Sequence, residues 1–206
     1  MNKRTDQTKS HYEPRLAIYD EGYAIHDWES RKTQRRRFDV LIEHAQLEGA
    51  RILDVGCGVG DLYGYLTCEN GFRIDYVGVD ILESMVDTAQ GRYADGTFLC
   101  ADLIKANPFE ERSFDVVYCS GTFNLAIGDH RCFAQTMLSV LVRLFERCLL
   151  FNMLDADSPK RDPRYCYFDP DCVIRWEVLK PFHPTLITGY LPNDFSIVCS
   201  HGPHTI

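Results

Sequence analysis

The segment Arg51-Ile-Leu-Asp-Val-Gly-Cys-Gly-Val-Gly-Asp61 constrains this chain more than any other, because it reads as a buried strand running directly into a glycine-rich turn. Ile52, Leu53 and Val55 form the short apolar run of a parallel strand covered on both faces. Gly56, Gly58 and Gly60 then permit positive φ and leave no Cβ between the backbone and a ligand. Leu62, Tyr65 and Leu66 follow at helical spacing, so the turn opens a helix whose first amides point into a cleft.

The same unit recurs along the chain. Ile74-Asp-Tyr-Val-Gly-Val-Asp80 is a second apolar strand, and its terminal carboxylate has the place from which an acid accepts both hydroxyls of a ribose. Thr97-Phe-Leu-Cys-Ala-Asp102 predicts a third strand ending in an acid, and Phe114-Asp-Val-Val-Tyr-Cys-Ser-Gly121 a fourth ending in small residues. Open α/β sheets bind ligands at such carboxyl ends. Helical periodicity is predicted over 33–45, 82–90 and 132–145, a fifth strand over 148–154, and a hairpin over 185–199 turning at Pro192-Asn-Asp194. In the first of these helices Phe38, Leu41, Ile42 and Ala45 share one side and the arginines lie elsewhere.

The glycine spacing separates nucleotide folds. A dinucleotide turn reads GxGxxG around a pyrophosphate, whereas this one reads GxGxG with Asp54 two residues before it. The phosphate loop GxxxxGK[ST] is absent from the sequence. A carboxylate under the turn with no nearby cation argues for a ligand with a positive centre.

Leu53-Asp-Val-Gly-Cys-Gly-Val-Gly60, Asp80, Asp102 and Phe114-Asp-Val-Val-Tyr118 together resemble the class I S-adenosylmethionine-dependent methyltransferases, over roughly residues 36 to 200. The resemblance implies a Rossmann-like α/β fold: a seven-stranded, mostly parallel sheet of order 3-2-1-4-5-7-6, helices on both faces and a C-terminal antiparallel hairpin. It implies S-adenosylmethionine as cofactor and S-adenosylhomocysteine as product. Carried over by position, Asp54, Gly56, Cys57, Gly58 and Gly60 would form the loop against the methionyl part, and Asp80 would hold the ribose. Ile81 and Met85 would cover the adenine, with Ala101, Asp102 and Leu103 at its edge and Ser120 and Trp28 completing the site. Thr122, Phe123, Asn124 and Tyr23 are the expected acceptor contacts. Of His26, His130 and His183 as general bases, His130 is preferred because it lies just beyond the 120–124 loop. The Asn/Asp-Pro-Pro-Tyr/Phe motif of enzymes that methylate planar nitrogens is missing there.

Around this core, residues 1–13 show no apolar period and are expected to be a mobile tail, 14–48 a helical cap and 49–200 the core of one domain. Aromatics concentrate over 12–28, and Tyr23, Trp28 and Gln34 are expected to line a lid. The 155–170 loop offers Arg161, Arg164, Tyr165 and Tyr167 as a substrate wall able to meet a carboxylate or phosphate. With 206 residues there is room for one α/β domain and little else, and a net charge of -8 speaks against nucleic acid as partner. No run approaches the roughly 20 apolar residues of a membrane span and no signal core opens the chain, so a cytoplasmic protein, monomer or homodimer, is expected. The nine cysteines show no CxxC pair, so reduced, buried thiols are expected and no metal site. The favoured reading is methyl transfer to oxygen or nitrogen of a small molecule. The alternatives are a protein or RNA methyltransferase, a non-catalytic S-adenosylmethionine-binding module and, last, a nicotinamide dehydrogenase.

Overall fold

A computed structural model describes residues 3–202. The described residues form one seven-stranded sheet of order β3-β2-β1-β4-β5-β7-β6. The strands are β1 (Arg51–Val55), β2 (Asp75–Asp80), β3 (Thr97–Cys100), β4 (Phe114–Cys119), β5 (Phe145–Leu154), β6 (Thr185–Ile187) and β7 (Asp194–Cys199). β1 to β5 pair in parallel, and β7 runs antiparallel to both β5 and β6. That is the expected fold, with its closing hairpin.

Strand residues divide between two cores by the two-residue period of a pleated strand. Leu53 and Val55 of β1, Val117 and Cys119 of β4, Leu149, Phe151 and Met153 of β5 and Phe195 and Ile197 of β7 face one core. That core is filled by Ala134, Leu138 and Leu141 of α6 (His130–Leu141). Ile52, Val116, Tyr118, Leu150 and Val198 face the other, under α3 (Arg31–His44) and α5 (Glu83–Arg92). Both sets are apolar because helices cover both faces, so the strands read as runs rather than as alternation.

α3 starts at a reciprocal cap in which Ser30 and Thr33 bond each other's backbone. It buries Phe38 and Leu41, as its period requires, but also Arg37, which is 3 % exposed. Its guanidinium forms an ion pair with Asp194 at the start of β7, and the Asn152 amide donates to the same carboxylate at 2.8 Å. The expected placing of all the arginines away from the core thus fails at Arg37, whose counterion comes from the far end of the chain. Asp194→Ala would leave the guanidinium buried without that partner, so a loss of about 3–5 kcal/mol is expected in denaturant unfolding. A loss below about 1 kcal/mol would contradict the pairing.

The N-terminal expectation is also corrected. Residues 3–13, read as tail, belong to α1 (Lys3–Ile18); residues 1 and 2 lie outside the described residues. α1 buries no residue fully and is held by side contacts. Tyr12 and Leu16 pack on Ile25, Val59, Leu82 and Met85, while Arg15 donates to the carbonyls of Ala24 and Ile25. A short α2 (Gly22–Ile25) follows. The nine cysteines are unpaired; Cys57, Cys119, Cys148, Cys166 and Cys199 are buried, whereas Cys68, Cys100, Cys132 and Cys172 are exposed. Among the described residues no helix is long and apolar enough to cross a membrane, and no cluster of His, Cys, Asp or Glu suits a metal ion.

Candidate functional site

The glycine turn lies at the carboxyl end of the sheet, where β1 hands over to α4 (Asp61–Gly64). The amides of Gly56 and Cys57 donate to Val79 O at 2.8 and 3.1 Å, which fastens the turn to the end of β2. Gly58 has φ +52 and approaches the His26 ring so closely that a Cβ would overlap its Nε2. Asp80 closes the turn from the other side: its Oδ2 accepts from Gly58 N at 3.0 Å and its Oδ1 from Leu82 N at 2.9 Å. Beneath, Asp54 is 4 % exposed and accepts from the Tyr76 hydroxyl at 2.6 Å.

Burial sets the electrostatics. It lifts the Asp54 carboxyl to about 7 against the Tyr76 hydrogen bond, with Asp80 pushing the same way. Asp80 is also raised by burial, opposed by the Leu82 and Gly58 amides. Asp61 goes the other way, because bonds and charge from His26, Gln34 and Arg92 outweigh the upward push of burial. A cationic ligand end beside Asp54 favours its ionised form. Its affinity is therefore expected to rise with pH up to about 7, where the proton is lost, and to level off above. Calorimetric titrations with S-adenosylmethionine from pH 6 to 8 check this, and Asp54→Asn should flatten the profile; an unchanged slope in that variant would refute the role.

The N-terminal segment covers the turn. His26 Nε2 lies 3.3 Å from Val59 N, which donates to it, and its Nδ1 lies 3.4 Å from Asp61 Oδ2. Gln34 donates to the same oxygen at 2.7 Å. Asp27, at φ +60, binds Arg15 of α1 at 2.6 Å and also receives Arg164 and the Tyr165 hydroxyl from the loop after β5. Trp28 lies under the Arg37 guanidinium, 4.0 Å from ring centroid to Cζ.

These elements enclose one cavity of ≈ 940 Å³. Its wall contains Asp54, Gly56, Cys57, Gly58, Asp80, Ile81, Met85, Ala101, Asp102, Leu103, Ser120 and Trp28, together with Thr122, Asn124 and Gln34. Arg161, Arg164, Tyr165 and Tyr167 line it too. Four expected residues do not. Gly60 is the N-cap of α4, packed towards Tyr93 and Phe98. Phe123 is 1 % exposed and turned into the core against Phe133 and Phe151. Tyr23 sits in α2 away from the wall. His130 is exposed at the start of α6, its ring 5.8 Å from that of Phe168, because Asp129 caps the helix and turns it outward. Among His26, His130 and His183, only His26 reaches the wall. Wall residues that the sequence did not single out include Gln7 and Thr8 of α1, together with Asp27 and Asp61.

The donor set suits S-adenosylmethionine. Asp54, buried, and Asp80, half-buried, offer carboxylates to a sulfonium and an ammonium, and the glycine turn brings backbone to the cavity wall. Two cations of the surroundings are committed, Arg37 to Asp194 and Arg92 to Asp61 at 3.5 Å.

Comparison with known proteins agrees. The family model described as Methyltransferase domain matches residues 52–143. A Mycobacterium tuberculosis protein with a provisional methyltransferase name, Rv1506c, is 35% identical over 129 residues, 58% of this chain and 73% of its own. The 18S rRNA (guanine-N(7))-methyltransferase of Bos taurus is 32% identical over 102 residues and the ubiquinone biosynthesis O-methyltransferase of Neisseria meningitidis 36% over 91. These stretches are 45% and 40% of this chain but only 35% and 36% of those two proteins. In fold, the chain is similar to the magnesium protoporphyrin IX methyltransferase of Synechocystis solved with its methyl donor, at TM-score 0.67 and 19% identity over 98% of this chain and 99% of that one. With this turn, this strand order and these relatives, the chain belongs to the class I S-adenosylmethionine-dependent methyltransferases, and S-adenosylmethionine is its cofactor.

Proposed function

We propose that the enzyme methylates an oxygen or nitrogen of a small molecule. The observation that carries this reading is the roof: α1, Asp27 and the loop after β5 are tied together over a cavity of ≈ 940 Å³. Sites for small ligands and cofactors span about 300–1,000 Å³, so this one has the space for cofactor and a compact acceptor together. A covered site of this kind suits a molecule that enters whole better than a polymer that must thread through.

Each Asp80 oxygen keeps a lone pair after serving its backbone amide, and these two face the ribose hydroxyls. Ile81, Met85 and Leu103 supply apolar cover for the adenine. Asp102 accepts from the amides of Ile104 and Lys105 at 3.2 and 3.3 Å through Oδ1, and its Oδ2, 3.5 Å from Lys105 Nζ, keeps a lone pair for the exocyclic amine. Asp54 faces the amino end of the methionyl part. The bound sulfonium supplies an electrophilic methyl group, and the chain's work is to hold the acceptor atom in line and keep water out. Thr122, whose hydroxyl is tied to Val55 O at 3.0 Å, and Asn124 fix the loop where the acceptor meets the site. Both nitrogens of His26 are engaged, so it orders the glycine turn rather than removing a proton.

Incubation with methyl-labelled S-adenosylmethionine and three fractions, namely small-molecule extract, total RNA and protein, tests the reading. Label is expected in the small-molecule fraction. Label confined to RNA or protein would overturn it.

A further inference from the structure

Beyond the glycine turn, a closed chain of contacts surrounds the other end of the cavity. The Trp28 indole edge lies against Gly121, where a Cβ would stand 2.8 Å from Cζ2. Asn124 N donates to Gly121 O at 3.0 Å, and Cys166 N donates to Asn124 O at 2.7 Å. Tyr165 pairs with Leu125 in an antiparallel bridge, and its hydroxyl reaches Asp27, the residue before Trp28. Trp28, Asn124 and Tyr165 thus form a collar, and all three line the cavity.

The collar's polar atoms are unequally committed. The Tyr165 hydroxyl is bonded to Asp27, and the hydroxyl of the neighbouring Tyr167 accepts from Asp162 N at 2.8 Å. Arg37 occupies one face of Trp28. Within the collar Asn124 Oδ1 is left unserved: Asn124 is 6 % exposed and this oxygen has no hydrogen-bond partner among the described residues. A buried acceptor left so is costly, and a ligand carrying a donor relieves it.

We infer that this end of the cavity is a subsite for a planar, conjugated acceptor bearing a hydroxyl or amine, flanked by Trp28 and Tyr165 and read by Asn124 Oδ1. The inference rests on the proposed reading that the residues after β4 face the acceptor. It assigns the aromatic walls to the ring system and the collar's free oxygen to the donor, so Asn124 is a specificity-determining residue. A saturated skeleton loses the walls, which favour flat rings at stacking or edge distance. A molecule whose only donor is already methylated leaves Asn124 unpaired.

The test uses the full chain loaded with S-adenosylhomocysteine and three probes of one skeleton: 2-naphthol, its methyl ether and decahydro-2-naphthol, with binding followed by ligand-observed NMR. In the native protein 2-naphthol is expected to bind at least tenfold more tightly than either companion. Asn124→Leu, similar in volume, should bring 2-naphthol within twofold of its ether while S-adenosylhomocysteine affinity stays within threefold. Trp28→Leu should reduce the preference for 2-naphthol over the saturated alcohol, which keeps the test decisive if the first variant does not fold. Equal binding of the three probes, no binding of 2-naphthol to the loaded protein, or a preference over the ether that survives Asn124→Leu would each overturn the inference. Failure of S-adenosylhomocysteine itself to bind the native protein would instead overturn the reading beneath it.

Discussion

Asp80→Ala is expected to weaken S-adenosylhomocysteine binding by at least about 100-fold while the chain stays folded. The carboxylate has two tasks in one place. It holds the Gly58 and Leu82 amides at 3.0 and 2.9 Å, and so shapes the turn, and in the proposed reading its remaining lone pairs meet the ribose. A hydrogen bond to a charged group contributes about 1.5–3 kcal/mol. Two lost to the ribose amount to about 3–6 kcal/mol, beyond the roughly 2.7 kcal/mol that 100-fold represents. Calorimetry on the native protein, the variant and Asp80→Asn measures the effect, with the amide variant expected in between. Binding of the alanine variant within about fivefold of the native protein would rule out the ribose role.

Gly58→Ala is expected to be nearly as damaging by a different route. At φ +52 an alanine bears a left-handed backbone penalty of about 1–2 kcal/mol, and its methyl group enters the space of the His26 ring. His26 is then expelled from its bonds to Val59 N and Asp61, and the cover that begins with α2 lifts from the turn. Cofactor affinity should fall by about 30-fold or more. The double variant Gly58→Ala/His26→Ala removes the collision but not the backbone strain, so it should recover part of the loss. A double variant no better than Gly58→Ala would show that His26 does not rest on the turn.

What was legible in the sequence follows from the physics of each element. β1 and its turn were readable because a strand buried on both faces must be apolar throughout and because Gly58 occupies a place no side chain fits. The strand order came from the family resemblance carried by the four strand-end motifs, and β1 to β7 follow it. α1 was not readable, since it buries no side chain fully and is held by Arg15, Tyr12 and Leu16, contacts that leave no apolar period. Arg37 was misplaced for a related reason: helical spacing shows where apolar residues gather but not that a buried guanidinium will find Asp194 at the other end of the chain. Phe123 and His130 illustrate the limit at a site. Both lie near the end of β4 in sequence, yet the turn there points Phe123 into the core, and the Asp129 cap points His130 outward. Proximity in sequence located the loop but not the direction of its side chains. Asp54, Asp80 and Asp102 reach the cavity wall because strand ends fix direction as well as place.

The most direct test of the account is a calorimetric titration of the full chain with S-adenosylmethionine, S-adenosylhomocysteine and NADH. The GxGxG turn with Asp54 beneath it and Asp80 beside it predicts micromolar binding of the first two and none of NADH. Binding of NADH, or of neither sulfur compound, would contradict it.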